Sequence, residues 1–101
     1  DWLFVEDHCA GIEAALRLGR AGEAYNIGGG EEATNREITD LVLEHTGAEA
    51  SLVRRVEDRA GHDRRYSLDT AKARAELGWS PKTSLAQGFP LTVCQIIVTS
   101  I

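Results

Sequence analysis

Methionine is absent from the 101 residues, and cysteine and proline occur only twice each. Cys9 and Cys94 are too few for a disulfide scaffold and form no CxxC pair, so ordinary reduced thiols are expected. His8, Cys9 and Asp7 carry metal-ligand atoms, but neighbours on a helix point apart and no second pair has zinc spacing; no metal site is read. The apolar run Ile96-Ile97-Val98 is far too short to span a bilayer, and Asp1-Trp2 opens the chain where a leader would place a basic stretch and an apolar core. No membrane segment or secretion signal is read, and a cytoplasmic location is expected. The aromatic residues are two each of Trp, Tyr and Phe, without the basic–aromatic interleaving that stacks single-stranded nucleic acid. Internal repeats, a Walker lysine loop and a nucleophile elbow are also missing.

What is present is ordinary globular composition, 43% hydrophobic and 27% charged, in a chain long enough for one small domain of marginal stability. The net charge of −5 divides unevenly. Residues 1–50 hold eleven acids against three bases, and residues 51–101 hold five acids against eight bases. The local basic excess could face a phosphate-bearing small molecule, but it makes no long stripe for a nucleic-acid backbone.

Helical and extended signals alternate along the chain. Residues 2–5 are a β-favouring run followed by Glu6 and Asp7, which suit a first helical turn. Cys9, Ile12 and Leu16 recur at helical spacing, which predicts a packed helix over 6–18 with Gly19 as its stop. Residues 23–27 read as a short strand entering Gly28-Gly29-Gly30. Thr34 stands three residues before Glu37, a capping-box spacing, and Ile38, Leu41, Val42 and His45 share a face; a helix over 35–46, ended by Gly47, is expected. Residues 52–56 read as a strand and 58–66 as a polar loop. Asp69 can cap a helix over 70–77 closed by Gly78, with Trp79 covering its end. The last stretch conflicts with itself. Ser84 could cap a helix carrying Leu85, Phe89, Val93 and Ile96, but Pro90 would sit inside it, while residues 92–98 have β propensity.

Three features carry possible chemistry. The triple glycine could serve a tight turn, backbone clearance or a ligand, but it is no GxGxxG fingerprint, and Glu31-Glu32 beside it would repel phosphate. Asn35 at a helix start is either a local cap or a donor to phosphate or ribose oxygens. Arg54, Arg55, Arg59, Arg64 and Arg65, interleaved with Glu57, Asp58 and Asp63, form a solvated surface, an anion site or an ion-pair network. His62 within that loop could meet a ribose or sugar hydroxyl, or simply hold a turn.

The ordered series Asp1-Trp2-Leu3-Phe4-Val5-Glu6-Asp7-His8, Gly22-Glu23-Ala24-Tyr25-Asn26-Ile27-Gly28-Gly29, Asn35-Arg36-Glu37-Ile38 and Asp58-Arg59-Ala60-Gly61-His62-Asp63-Arg64-Arg65-Tyr66 closely resembles the C-terminal portion of the dTDP-glucose 4,6-dehydratase family. These are NAD-dependent epimerase/dehydratases of the extended short-chain dehydrogenase/reductase type. The likeness continues through Asp69, Lys72 and Glu76-Leu77-Gly78-Trp79-Ser80-Pro81 and reaches Thr92-Val93. Two departures stand out. Ala60 replaces the family's usual proline, which leaves the loop less preorganised, and Pro90-Leu91 and Cys94-Gln95-Ile96 depart from the family pattern around Thr92-Val93.

The resemblance implies an α/β protein of which this chain is a mainly helical C-terminal part, with short strands and no complete Rossmann domain. Residues 1–101 would be one nucleotide-sugar-binding portion, including segments that pack on a missing Rossmann sheet. The intact enzyme would convert dTDP-glucose to dTDP-4-keto-6-deoxyglucose and water. NAD would be bound mainly by a missing N-terminal domain, which would also carry the glycine-rich loop, the catalytic YxxxK pair and an arginine that contacts phosphate. Catalytic and cofactor-binding residues are therefore expected to lie outside this chain, which would be inactive in isolation. Asn35, Arg59 and His62 match family positions that contact the diphosphate and ribose of a dTDP-sugar, and the intact protein would be a homodimer. The alternatives are a non-catalytic nucleotide-sugar-binding or assembly module, or part of a related epimerase or decarboxylase.

Overall fold

Glu6 and Asp7 lie in the first turn of helix α1 (Val5–Leu18), where carboxylates favour the positive end of the helix dipole. Gly19 follows it with an extended backbone. The computed structural model describes the backbone of residues 1–99 and the side chains of residues 1–94. Helix α2 (Asn35–Thr46) starts at a complete capping box: the Thr34 hydroxyl accepts the Glu37 amide at 3.2 Å, and the Glu37 carboxylate accepts the Thr34 amide at 2.7 Å. A single 3₁₀ turn (Ala50–Leu52) precedes the long loop to α3 (Ala71–Leu77), whose first amide is taken by the Asp69 carboxylate at 2.9 Å.

Helix α4 (Leu85–Thr99) runs through Pro90. Ser84 and Gln87 make a reciprocal cap, with the Ser84 amide donating to Gln87 Oε1 at 3.0 Å and the Gln87 amide to Ser84 Oγ at 3.3 Å. Pro90 removes only the one amide that would reach Ala86. Both residues face solvent, where water can satisfy the freed carbonyl. One turn later the Thr92 hydroxyl donates to the Gly88 carbonyl at 2.9 Å. The helical alternative for this stretch therefore holds over the β alternative; the side chain of Ile96 lies outside the described residues.

The expected strands do not form. Among the described residues the β pairing is one isolated antiparallel bridge, Trp2 to Glu31. Val5 already belongs to α1, residues 23–27 form no regular element, and Leu52 closes the 3₁₀ turn. The α/β reading is thus corrected to a mainly helical chain. The physical reason is that β propensity shapes a backbone but a strand exists only where a neighbour supplies its hydrogen bonds. Side chains supply some of those bonds here, as Asn26 Nδ2 donates to the Asp69 carbonyl at 3.2 Å and Lys72 Nζ to the Ala24 carbonyl at 2.9 Å.

Two helix pairs organise the molecule, α1 on α3 and α2 on α4. Ala73, Leu77 and Trp79 are the buried hydrophobic residues of the first pair, backed by Leu3, Ala14, Ala15, Tyr25 and Ile27. The face of α1 that packs is the one carrying Asp7 and Gly11, because Gly11 lets Ile27 and Trp79 come close. Ile12 and Leu16, expected to pack, are 55% and 85% exposed. With so small a core the chain stays extended: its radius of gyration is 16.4 Å, against about 13 Å for a compact domain of this length. No helix among the described residues is long and apolar enough to cross a membrane, and Cys9 and Cys94 are both free thiols.

Candidate functional site

The amino end of α2 and the arginine-rich loop face each other across an open cleft of about 950 Å³. Its walls are Asp1 and Trp2, residues 32–35 with Glu37, and Asp58 with residues 62–66. The cleft depends on how the start of the chain is pinned. Trp2 pairs with Glu31, donating its amide to the Glu31 carbonyl at 2.9 Å, and its indole nitrogen donates to the Ala33 carbonyl at 2.9 Å. The Asp1 carboxylate accepts from the Gly30 amide at 2.8 Å and the Leu68 amide at 3.2 Å, tying the segments beside the two walls to one side chain.

This arrangement explains the triple glycine. A Cβ on Gly29 would lie 1.8 Å from the Trp2 carbonyl oxygen, and one on Gly28 would lie 2.8 Å from Asp1 Oδ2. Gly28 and Gly29 therefore serve close backbone approach, while Gly30 supplies a positive φ of +73° with open space beside it. An aspartate carboxylate already holds the amide that a phosphate would seek, so this run does not fit the pyrophosphate of a dinucleotide such as NAD.

Asn35 and His62 line the same cleft from opposite walls, while Arg59 is outside its lining. Arg59 reaches the wall through Tyr66, to whose hydroxyl its guanidinium donates at 3.5 Å. Asn35 is the first residue of α2, fixed there by the capping box on either side of it. The charges sort cleanly. Arg65 pairs with Glu32 at 2.7 Å across the two walls, and that guanidinium, helped by Ser67, holds the Glu32 carboxyl below its ordinary value. Arg64 lines the cleft, whereas Arg54 and Arg55 are exposed and outside it. The Tyr66 hydroxyl is held above its ordinary value, chiefly by the neighbouring Asp63 carboxylate.

Asp58 emerges from the geometry, since the sequence marks it only as one acid of the cluster. Its Oδ1 accepts the Arg59 amide at 2.9 Å and His62 Nδ1 at 2.6 Å. The hydrogen bond from His62 lowers the Asp58 pKa, and an ionised carboxylate can only accept, so Nδ1 carries the proton. The other ring nitrogen, Nε2, faces away from this bond as an acceptor in the neutral ring and a donor in the protonated one, and either form can meet a hydroxyl. The spacing of an aspartate four residues before a histidine over a glycine was the available signal. Glu32 was likewise visible, but its pairing with Arg65 joins segments 33 residues apart. No group of three or more His, Cys, Asp or Glu side chains that could hold a metal ion occurs among the described residues.

A family profile described as GDP-mannose 4,6 dehydratase matches residues 1–92. A dTDP-glucose 4,6-dehydratase from an Actinoplanes species is 56% identical over 93 residues, covering 92% of this chain and 29% of that protein. Among solved structures, the DesIV dTDP-glucose 4,6-dehydratase of Streptomyces venezuelae, with NAD among its bound ligands, superposes with a TM-score of 0.87 at 53% identity. It covers 93% of this chain and 29% of the other. The dTDP-glucose 4,6-dehydratase of Bacillus anthracis, in complex with NAD, gives a TM-score of 0.84 at 42% identity, covering 93% of this chain and 30% of the other. The chain spans about three tenths of the length of the relatives it matches.

Proposed function

We propose, for a chain that belongs to the GDP-mannose 4,6 dehydratase family, that the cleft between α2 and the loop 58–66 holds the nucleotide diphosphate of dTDP-glucose. Asn35, Arg59 and His62 are the contacts. The observation that carries this reading is the convergence of Asn35 and His62 on one cleft, with Arg59 tied to its wall through Tyr66. An exposed amide at a helix start and an arginine fork are suited to phosphate oxygens, and an imidazole nitrogen to a ribose hydroxyl.

In the whole protein these residues would act as the grip on the nucleotide half of the substrate. They would do no chemistry at the sugar, but would fix the glucose ring by binding energy drawn from the nucleotide. The reaction is conversion of dTDP-glucose to dTDP-4-keto-6-deoxyglucose and water, for which NAD, held mainly by an N-terminal Rossmann domain, supplies the hydride acceptor and donor. Residues 1–101 form one nucleotide-sugar-binding portion that packs against that domain, in a cytoplasmic homodimer. The chain by itself binds without catalysing.

Equilibrium titration with dTDP tests the reading. Asn35→Ala and Arg59→Ala should each weaken binding about tenfold or more, the scale of a lost charge-assisted hydrogen bond, and thymidine, which lacks the diphosphate, should bind far more weakly than dTDP. Equal affinities for thymidine and dTDP, or variants that bind like the wild type, would overturn it.

A further inference from the structure

Arg59 and His62 sit on a loop that is exposed along its whole length, and neither is locked by burial. Their placement needs a local device. Ala60 and Gly61 are the centre of a turn, with Gly61 at φ +71°, and proline is favoured at the residue before such a glycine because it pre-sets the backbone. This chain has alanine there. What closes the turn is Asp58: a single carboxylate oxygen accepts both the Arg59 amide at 2.9 Å and His62 Nδ1 at 2.6 Å, so one side chain spans the turn from its first residue to its last.

We infer that Asp58 is a positioning residue, which preorganises Arg59 and His62 for a nucleoside diphosphate by clamping the turn that an alanine at 60 leaves loose. This rests on the reading of the cleft as a nucleotide site and adds to it a residue that acts through its neighbours and not on the ligand. Asp58 is a carboxylate in the lining of the cleft proposed for the diphosphate. Direct contact with the diphosphate would be repulsive, and the carboxylate is useful there only because its oxygen is already engaged.

The clamp makes a prediction that direct contact does not. Removing Asp58 should be repaired by restoring stiffness at position 60, where the amide donates no hydrogen bond among the described residues. Three variants of the full chain, Asp58→Ala, Asp58→Asn and Asp58→Ala/Ala60→Pro, would be compared by ¹⁵N relaxation of the Gly61 and His62 amides and by titration with dTDP. Asp58→Ala should loosen the turn and weaken dTDP about tenfold. Asp58→Asn, which keeps the accepting oxygen, should stay near the wild type, and the proline should recover both order and most of the affinity. Unchanged turn dynamics in Asp58→Ala, or a proline that restores order without restoring affinity, would overturn the clamp. Wild-type protein that binds no dTDP would instead sink the nucleotide reading, and the relaxation data would still decide whether Asp58 orders the turn.

Discussion

The Asp7 carboxylate accepts the backbone amide of Thr83 at 2.7 Å and that of Lys82 at 3.1 Å, joining the first turn of α1 to the approach to α4. Asp7 is only 7% exposed, and its own carbonyl accepts the Trp79 indole nitrogen at 3.1 Å. One residue therefore anchors the segment that carries the buried tryptophan. Asp7→Ala would strand two backbone amides in a partly buried place, at a cost of about 2–3 kcal/mol. Asp7→Asn, which still accepts, should lose less. The difference in urea midpoints between the two variants checks this, and equal midpoints would contradict it.

Gly11 tests how tightly α1 seats on its neighbours. Alanine is the better helix former by about 1 kcal/mol, so propensity alone says that Gly11→Ala stabilises. The added Cβ would lie 2.6 Å from Ile27 Cγ2 and 3.1 Å from Trp79 Cε2, and overpacking of this kind costs about 1–3 kcal/mol. Net destabilisation is expected, read as a lower thermal midpoint with helical circular dichroism retained; a higher midpoint would show that the contact yields.

Glu76 gives a pH-dependent test. Its carboxyl is held below the ordinary value of 4.5, first by the hydrogen bond from Tyr25 and then by that from Arg20. Tyr25 and Arg20 donate to its two oxygens at 2.8 Å each. Because the folded value lies below the unfolded one, this contribution is full above the ordinary carboxylate range and is lost as pH falls through the folded value. Tyr25→Phe should move the Glu76 midpoint up, followed by carboxyl-carbon NMR. The stability gap between wild type and variant should narrow as pH drops below 4.5. A gap unchanged across that range would remove the proposed linkage.

Helix α2 shows what local sequence can determine. Thr34, Glu37 and Gly47 mark its two ends with groups that act within a few residues, and the observed bounds are those the spacing predicts. The strands at 2–5, 23–27 and 52–56 failed for the converse reason: a strand is defined by a partner, and nothing within those residues specifies one. Ile12 and Leu16 have helical spacing on a real helix, yet the seated face is the one with Gly11, because clearance for Ile27 and Trp79 decides packing. Asn35 and His62, singled out by type and resemblance, line one cleft, whereas Arg59, singled out with them, lies outside its lining and reaches it through Tyr66. The roles of Asp1, Glu32 and Tyr66 depend on contacts between distant segments, and no spacing announces them. Pro90 shows a conflict that only context resolves, since its lost hydrogen bond falls on the solvent side of α4.

The most direct test of the nucleotide-binding claim is a two-dimensional amide NMR titration of the chain with dTDP. Shifts are expected only at the amino end of α2 around Asn35 and in the turn that bears Arg59 and His62, with Glu76 on α3 and Tyr25 packed beside it unmoved. A well-dispersed spectrum that does not change on addition of dTDP would contradict the claim.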